Sequence, residues 1–280
     1  MENLGYYNEE IDELQTLKIP VLDRACYFGD AIYDATYSNN HNPFALREHI
    51  DRFFESSKLV GINLDFSKDF LEDLIRNLAK KVDNGNQFVY WQASRGSAIR
   101  EHYYKGKANL LVMIYPKDIV AMDTKYKVIT LEDKRYLYCN AKTINLMPNI
   151  LGSINAKKVG CNEAIFIRNG IVSEGLHSNV HILKDNKLIT PILDNRILSG
   201  VARNHLLLAC EKLGIPVQSR DIAENELYDC DQIIFTSSGG MCVGVKQINE
   251  TKIIQNNQST LNKLKEIIYK EFFDSTKYGL

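Results

Sequence analysis

The sequence predicts a mixed α+β protein of two domains, divided near residue 120. Three observations predict it. The chain has 280 residues, a length that suits two domains or one large one. Stretches that alternate apolar and polar residues interleave with stretches whose apolar residues recur at helical spacing. Residues 116–124 (Pro-Lys-Asp-Ile-Val-Ala-Met-Asp-Thr) follow neither pattern and read as a linker, which gives a small domain over 1–117, a linker over 118–124 and a larger domain over 125–280.

The elements follow in order. Residues 3–22 read as short strands with turns between them, and 23–30 as a loop or short helix. Residues 31–37 alternate, 38–43 turn, and Phe44-Ala-Leu returns as a hairpin. Residues 46–60 place Ile50, Phe53, Phe54 and Leu59 at helical spacing. Ser67 caps a second helix with Phe70, Leu71, Leu74, Ile75 and Leu78 as its apolar stripe. Strands at 87–94 and 108–115 enclose a charged loop at 95–104. Beyond the linker come a strand near 125–132 and a mostly uncharged run, 135–146. A helix then starts around Pro148, a residue that suits a first helical turn. Strands at 163–168 and 171–174 flank the Asn169-Gly170 turn, and 180–183 and 187–190 flank Asp185-Asn186. A helix after Gly200 carries Leu206, Leu207, Leu208 and Leu213. Strands at 232–236 and 241–247 and a helix over 258–273 complete the chain.

Composition excludes several classes of function. Lys+Arg number 34 and Asp+Glu 35, a net charge of −1 that gives no electrostatic case for nucleic acid or an anionic membrane. Hydrophobic residues at 45% allow a sizeable core, yet no apolar run reaches the length of a membrane span. The N-terminus lacks the basic and apolar regions of a signal peptide. Six cysteines (Cys26, Cys139, Cys161, Cys210, Cys230, Cys242) are scattered without a C-x-x-C, a usage that favours reduced thiols in a cytoplasmic protein. His177 and His181 lie four apart across a turn into a strand, so no metal site is expected.

Five stretches carry candidate chemistry. Lys142 stands among Tyr136, Leu137, Tyr138, Cys139, Ala141, Ile144 and Leu146. Burial disfavours a charged amine, and a neutral amine forms a Schiff base with a carbonyl. The alternative is a lysine at a strand end with its ammonium in water. Leu198-Ser-Gly-Val201-Ala202-Arg opens a helix directly after a glycine, where free amides and the macrodipole favour an anion. It also suits an ordinary turn. Thr236-Ser237-Ser238-Gly-Gly offers hydroxyls and flexible amides after a strand, or is a plain loop. Arg52 can clamp a phosphate or pair with Asp51 or Glu55. Glu174, at a strand end before Gly175, can partner a ring nitrogen or sit solvated in a turn.

Taken together, these stretches resemble the fold-type IV pyridoxal-phosphate enzymes, the branched-chain and D-amino-acid aminotransferase family. The resemblance runs from about Asp23 to Val245. It is carried by "EHIDRF" at 48–53, "RGSAIREH" at 95–102, "RYLYCNAKTINL" at 135–146, "EAIFIRNGIVSEGLHSNV" at 163–180, "ILSGVAR" at 197–203 and "FTSSGG" at 235–240. It implies a small N-terminal α/β domain and a larger, barrel-like cofactor domain. Lys142 matches the lysine that binds the cofactor covalently, and Glu174 the carboxylate at the pyridine nitrogen. Arg52, the 198–202 turn through Leu198, Val201 and Ala202, and Ser237 with Ser238 match the phosphate cup. Arg135 matches an arginine near the cofactor's phenolic oxygen.

Within the family, Arg100 and His102 resemble the Arg-x-His pair with which D-amino-acid aminotransferases take the substrate carboxylate, a pair supplied there by the neighbouring subunit of a homodimer. Tyr33 matches the tyrosine completing that trap. An arginine fork with two further donors suits a carboxylate. The implied reaction is transamination between a D-amino acid such as D-alanine and a 2-oxo acid, 2-oxoglutarate or pyruvate. The rivals are an L-branched-chain aminotransferase, an aminodeoxychorismate lyase and a cofactor-binding homologue without activity. Three departures bear on substrate range: Ala202 stands in place of a usual threonine, Met241-Cys-Val-Gly-Val in place of Glu-Ile-Thr-Pro-Val, and Leu176-His177 where D-enzymes often have serines.

Overall fold

The computed structural model describes residues 1–253 and 256–277. It divides into two compact units. The first takes Met1–Asp118, Ala141–Asn145 and the chain from Phe272; the second takes Ile119–Asn140 and Leu146–Glu271. The expected block 125–280 is therefore not continuous, because the residues around Lys142 and the end of the last helix go with the first unit. The reason is local pairing. Lys142 accepts a hydrogen bond from the Tyr33 amide (2.9 Å), the Ile144 amide donates to Ala31 (3.2 Å), and Thr143 bridges Ile32.

The first unit holds a six-stranded sheet in the order β2-β1-β6-β5-β3-β4, antiparallel throughout. Its strands are β1 (Leu4–Tyr7), β2 (Glu10–Asp12), β3 (Ala31–Asn39), β4 (Asn42–Pro43), β5 (Gln87–Ser94) and β6 (Asn109–Pro116). Alternation on β5 sends Val89, Trp91 and Ala93 inward, where they meet Ile50 and Phe53 of α2 (Leu46–Val60) and Leu71, Ile75 and Leu78 of α3 (Lys68–Ala79). Ser67 caps α3 by accepting from the Phe70 amide at 3.1 Å. A short helix, α1 (Arg24–Phe28), precedes β3 and is capped by Asp23.

Two expectations are corrected here. Phe70 and Leu59 are exposed, since the buried seam of α3 runs through Leu71, Ile75 and Leu78 and Phe70 stands about 100° around from it. The hairpin after β3 turns at Asn40 and His41, both left-handed (φ 51° and 64°), and returns as only Asn42–Pro43, because α2 begins at Leu46.

The second unit holds a nine-stranded sheet. Its strands are β7 (Lys125–Glu132), β8 (Glu163–Arg168), β9 (Ile171–Gly175), β10 (Asn179–Lys184), β11 (Lys187–Thr190), β12 (Val217–Ser219), β13 (Gln232–Thr236), β14 (Val243–Ile248) and β15 (Thr251–Lys252). The order is β12-β11-β10-β13-β14-β7-β8-β9, with β15 on β14. It is mixed: β7 runs parallel to both β8 and β14. Its helices are α4 (Met147–Lys158), α5 (Val201–Lys212) and α6 (Gln258–Lys277). Val180 and Ile182 of β10 point into a core with Ile165, Ile233, Phe235 and Val245, which leaves Asn179 and His181 for the opposite face.

Here β14 starts at Val243 rather than 241, because Met241 is left-handed (φ 51°) and cannot extend a strand. On α5 the buried side is Val201, Ala202, Leu206, Ala209 and Cys210, so Leu208 and Leu213 of the expected stripe lie exposed. α4 is inverted. Its small Gly152 and Ala156 pack inward while Met147, Ile150, Leu151 and Ile154 face out. Among the described residues no helix is long and apolar enough to cross a membrane, and no His, Cys, Asp or Glu cluster could hold a metal ion.

Candidate active site

The sequence-predicted residues fall into two sets, one in each unit. In the first unit, Lys142 lies along the edge of β3. Its amide donates to the buried Ser56 hydroxyl (3.0 Å), and its Nζ stands 4.3 Å from the centre of the Tyr33 ring. The lysine is half-buried. Tyr136, Leu137 and Tyr138 are exposed, because the segment after the buried Arg135 runs outside the sheet. Tertiary contacts hold the lysine instead: Tyr33 of β3 faces its amine, and Ser56 of α2 its backbone amide. Tyr33 in turn stacks on Tyr90, with ring centres 5.4 Å apart.

Arg52 pairs with neither Asp51 nor Glu55. Its Nε and Nη2 donate to the two oxygens of Asp34 (2.8 and 2.7 Å), and His49 Nδ1 lies 2.8 Å from the same carboxylate. Asp34 is fully buried on β3. Burial alone would raise its carboxyl, but the Arg52 charge and the His49 contact hold it well below the usual carboxylate range. Burial lowers the His49 imidazole, the Asp34 carboxylate beside its Nδ1 works against that, and the Arg52 and Lys142 charges add to the lowering. Asp34 and His49 were missed by sequence reasoning. The available signal was a carboxylate in the middle of an otherwise apolar strand.

The loop carrying Arg100 and His102 is exposed at both side chains yet anchored from beneath. Arg24, buried in α1, donates to the carbonyls of Glu101 (2.6 Å) and His102 (3.3 Å) and to Asp30 (2.8 Å). The Phe28 ring receives the Arg100 guanidinium at 4.8 Å and the His102 ring at 5.4 Å. The Tyr27 hydroxyl donates to the Ala98 carbonyl (2.7 Å). Residues 23–30 thus form the platform of this loop, a role invisible in a stretch read as a loop or short helix.

In the second unit Glu174 is buried on β9 rather than solvated in a turn. Its Oε1 accepts from Arg135 Nη1, and its Oε2 from the Leu198 amide at 3.0 Å and Asn179 Nδ2 at 3.5 Å. Arg135 also forks onto Asp133 through Nε and Nη2, both at 2.9 Å, and Arg168 meets Asp133 at 3.0 Å. The Asp133 side chain is wholly buried. Burial would raise its carboxyl, but hydrogen bonds and charge from Arg135, with help from Arg168, hold it well below the ordinary range. The guanidinium of Arg135 is therefore committed to two carboxylates, which makes it the orienting partner of Glu174.

The same carboxylate reaches the N-terminus of α5. Gly200 is its N-cap, and a Cβ there would lie 2.0 Å from Asn179 Oδ1, so the turn needs glycine. Asn179 Nδ2 also donates to the Leu198 carbonyl (2.8 Å). The amides of Val201 and Ala202, in the first turn of α5, have no intrahelical partners. Across the ladder Asn179 pairs with Thr236, which leads into Ser237 and Ser238. Ser237 Oγ accepts from the Gly240 amide (3.0 Å), closing that loop on itself. Glu174, Leu198, the α5 amides and the serine loop thus gather around Asn179. A buried anion at one side and an anion-binding helix terminus at the other fit a protonated ring bearing a phosphate.

The model of the amino-transferase class IV family matches residues 31–248. A D-alanine aminotransferase of Bacillus licheniformis is 30% identical over 261 residues, covering 92% of each chain. A solved branched-chain aminotransferase of Thermoproteus uzoniensis with norvaline superposes with a TM-score of 0.89 at 19% identity, over 98% of this chain and 96% of that one. A branched-chain enzyme of T.th. with pyridoxamine 5′-phosphate gives 0.87 at 21%, over 97% and 96%. At such identities the two structures speak for the fold.

Proposed function

Because this chain belongs to the class IV aminotransferase family and works with that family's pyridoxal phosphate, we propose that it transaminates D-amino acids such as D-alanine, with 2-oxoglutarate or pyruvate as acceptor. The observation that carries the D-reading is the anchored loop on which Arg100 and His102 share the Phe28 platform. The relative at 30% identity, a D-alanine aminotransferase, supports the same reading.

Lys142 would hold the cofactor through its amine, and Glu174, set by Arg135, would face the ring nitrogen and keep it protonated. Val201 and Ala202 amides, Ser237, Ser238 and Arg52 would take the phosphate. When bound, the cofactor supplies an electron sink for the bond from Cα to its hydrogen. Lys142 Nζ then takes the Cα proton and later delivers one back, a task that needs the amine neutral at that moment. Arg100 and His102, with Tyr33, would fix the substrate carboxylate and so decide which face of Cα meets Lys142.

The family pattern places Arg100 and His102 in the neighbouring subunit's site, so the reading includes a homodimer. The outward stripe of Met147, Ile150, Leu151 and Ile154 on α4 supports a second copy, since exposed apolar patches mark such surfaces. The cytoplasmic reading rests on six unpaired cysteines.

The visible spectrum of the purified protein tests the reading. A yellow band bleached by D-alanine and not by L-leucine is expected. Bleaching by L-leucine alone would give the carboxylate loop to the branched-chain activity, and release of pyruvate without any amino acceptor would give the site to the lyase. Turnover by Lys142→Ala at near wild-type rate would overturn the mechanism.

A further inference from the structure

β10 carries a histidine that the mechanism above does not use. His181 is fully buried on the face of β10 opposite the hydrophobic core. Its Nδ1 lies 3.0 Å from Thr190 Oγ1 on β11, and its Nε2 lies 3.0 Å from Thr236 Oγ1 on β13. Thr190 Oγ1 also accepts from Arg203 Nε at 3.2 Å. Thr190 and Thr236 are themselves buried, and Arg203 is 5% exposed. The four side chains form one string across three strands. It starts in the first turn of α5, beside the amides of Val201 and Ala202, and ends one residue before Ser237 and Ser238.

The string has a direction. An arginine only donates, so the Thr190 oxygen accepts from Arg203. The run continues head to tail when the Thr190 hydroxyl donates to His181 Nδ1 and Nε2–H donates to Thr236, the order that a neutral imidazole, with one donor and one acceptor, provides. Burial, together with the Arg203 charge, pushes His181 down to about 3, so it stays neutral across the working range. No carboxylate among the described residues pairs with Arg203, which leaves a buried cation beside the helix terminus.

We propose that His181 is the positioning residue of the phosphate cup: by tying Thr190 and Arg203 to Thr236 it fixes the spacing between the α5 amides and the Ser237–Ser238 loop. The inference rests on the phosphate cup of the proposed function. It bears on Ala202, where the family's usual threonine hydroxyl is missing. A cup with fewer side-chain donors depends more on the placement of its amides and on a fixed positive charge nearby. Alternation along β10 explains why a histidine stands there. Val180 and Ile182 fill the core, and the residue between them must face the hydroxyls of the two neighbouring strands.

The test compares pyridoxal phosphate with pyridoxal, which lacks the phosphate, in reconstituting the visible band of wild-type protein and of His181→Phe, His181→Gln and Thr190→Val. The expected result is a pyridoxal phosphate Kd raised about tenfold in His181→Phe, the cost of losing one or two buried hydrogen bonds, with the pyridoxal Kd unchanged. Thr190→Val, nearly isosteric, should show the same selective loss if the phenylalanine variant fails to fold. His181→Gln, with a donor and an acceptor, should recover most of the affinity. An equal loss for both ligands would reduce His181 to general packing, and no loss in either would remove the string from the cup. Ser237→Ala/Ser238→Ala separates the premises. If this double variant leaves the preference for phosphate intact, the cup itself is misplaced. If it lowers the preference while the His181 and Thr190 variants do not, only the positioning role falls.

Discussion

Two charged regions of this molecule are built in opposite ways. Around Glu174 the charges are buried and mutually committed: Asp133 takes Arg135 and Arg168, and Arg135 takes Glu174. Around Arg100 and His102 the side chains are exposed and rest on the Phe28 ring, over a backbone fixed by Arg24 and Tyr27. The first arrangement suits a group that must present the same charge to the same atom throughout a reaction. Low dielectric makes each contact strong, and a fixed dipole costs no reorganisation when charge develops. The second suits a group that must admit and release a succession of small carboxylates. An exposed guanidinium on a held backbone keeps its position and its hydration until substrate arrives.

The contrast can be broken most sharply at Glu174. Glu174→Gln should lower kcat roughly a thousandfold while the protein keeps its yellow band, since the amide cannot balance a protonated ring nitrogen. A loss below about tenfold would mean that the buried cluster does not act on the cofactor.

Asp133→Asn tests the cluster as structure. It leaves Arg135 and Arg168 against a neutral amide, and the expected loss is about 3 kcal/mol, read by thermal or urea unfolding. The pH dependence follows from the same pair. The folded Asp133 carboxyl is held well below its unfolded value of about 3.9, so its contribution is complete above that value and is lost as pH falls beneath it. Wild-type stability should therefore be flat through neutrality and drop below about pH 4, with a shallower drop in Asp133→Asn.

Effects on the exposed loop should be smaller and confined to substrate. Arg100→Ala should raise KM for D-alanine by about thirtyfold, the worth of a charge-assisted pair, and Arg100→Lys should restore only part of it. A matching rise for cofactor Kd would contradict the separation of the two regions. His102→Ala, losing a single donor, should raise KM about fivefold.

The strands and helices were largely legible in the chain. Period-two runs such as 87–94 and helical stripes such as Leu71, Ile75 and Leu78 are local statements about which side of an element meets water, and folding kept them. The short pieces β12 and β15 were not legible, because two or three residues hold no period. The ordered motifs carried the family and placed Lys142, Glu174 and the α5 turn as candidates.

The chain by itself determined which residue types stand at which spacing, and so the two-unit α+β plan and the kind of chemistry on offer. The tertiary structure alone decided how those residues are paired. Tyr136, Leu137 and Tyr138, expected to shield Lys142, turned out to be exposed, while Ser56 and Tyr33, far away in sequence, contact it. Arg52 met Asp34, Arg135 met Asp133 and Glu174, and His181 met two threonines on neighbouring strands. The reason is range. Periodicity reports a residue's exposure through its nearest turns, whereas the strength of a buried charge or hydrogen bond depends on the partner within about 3 Å, which only the folded chain brings there.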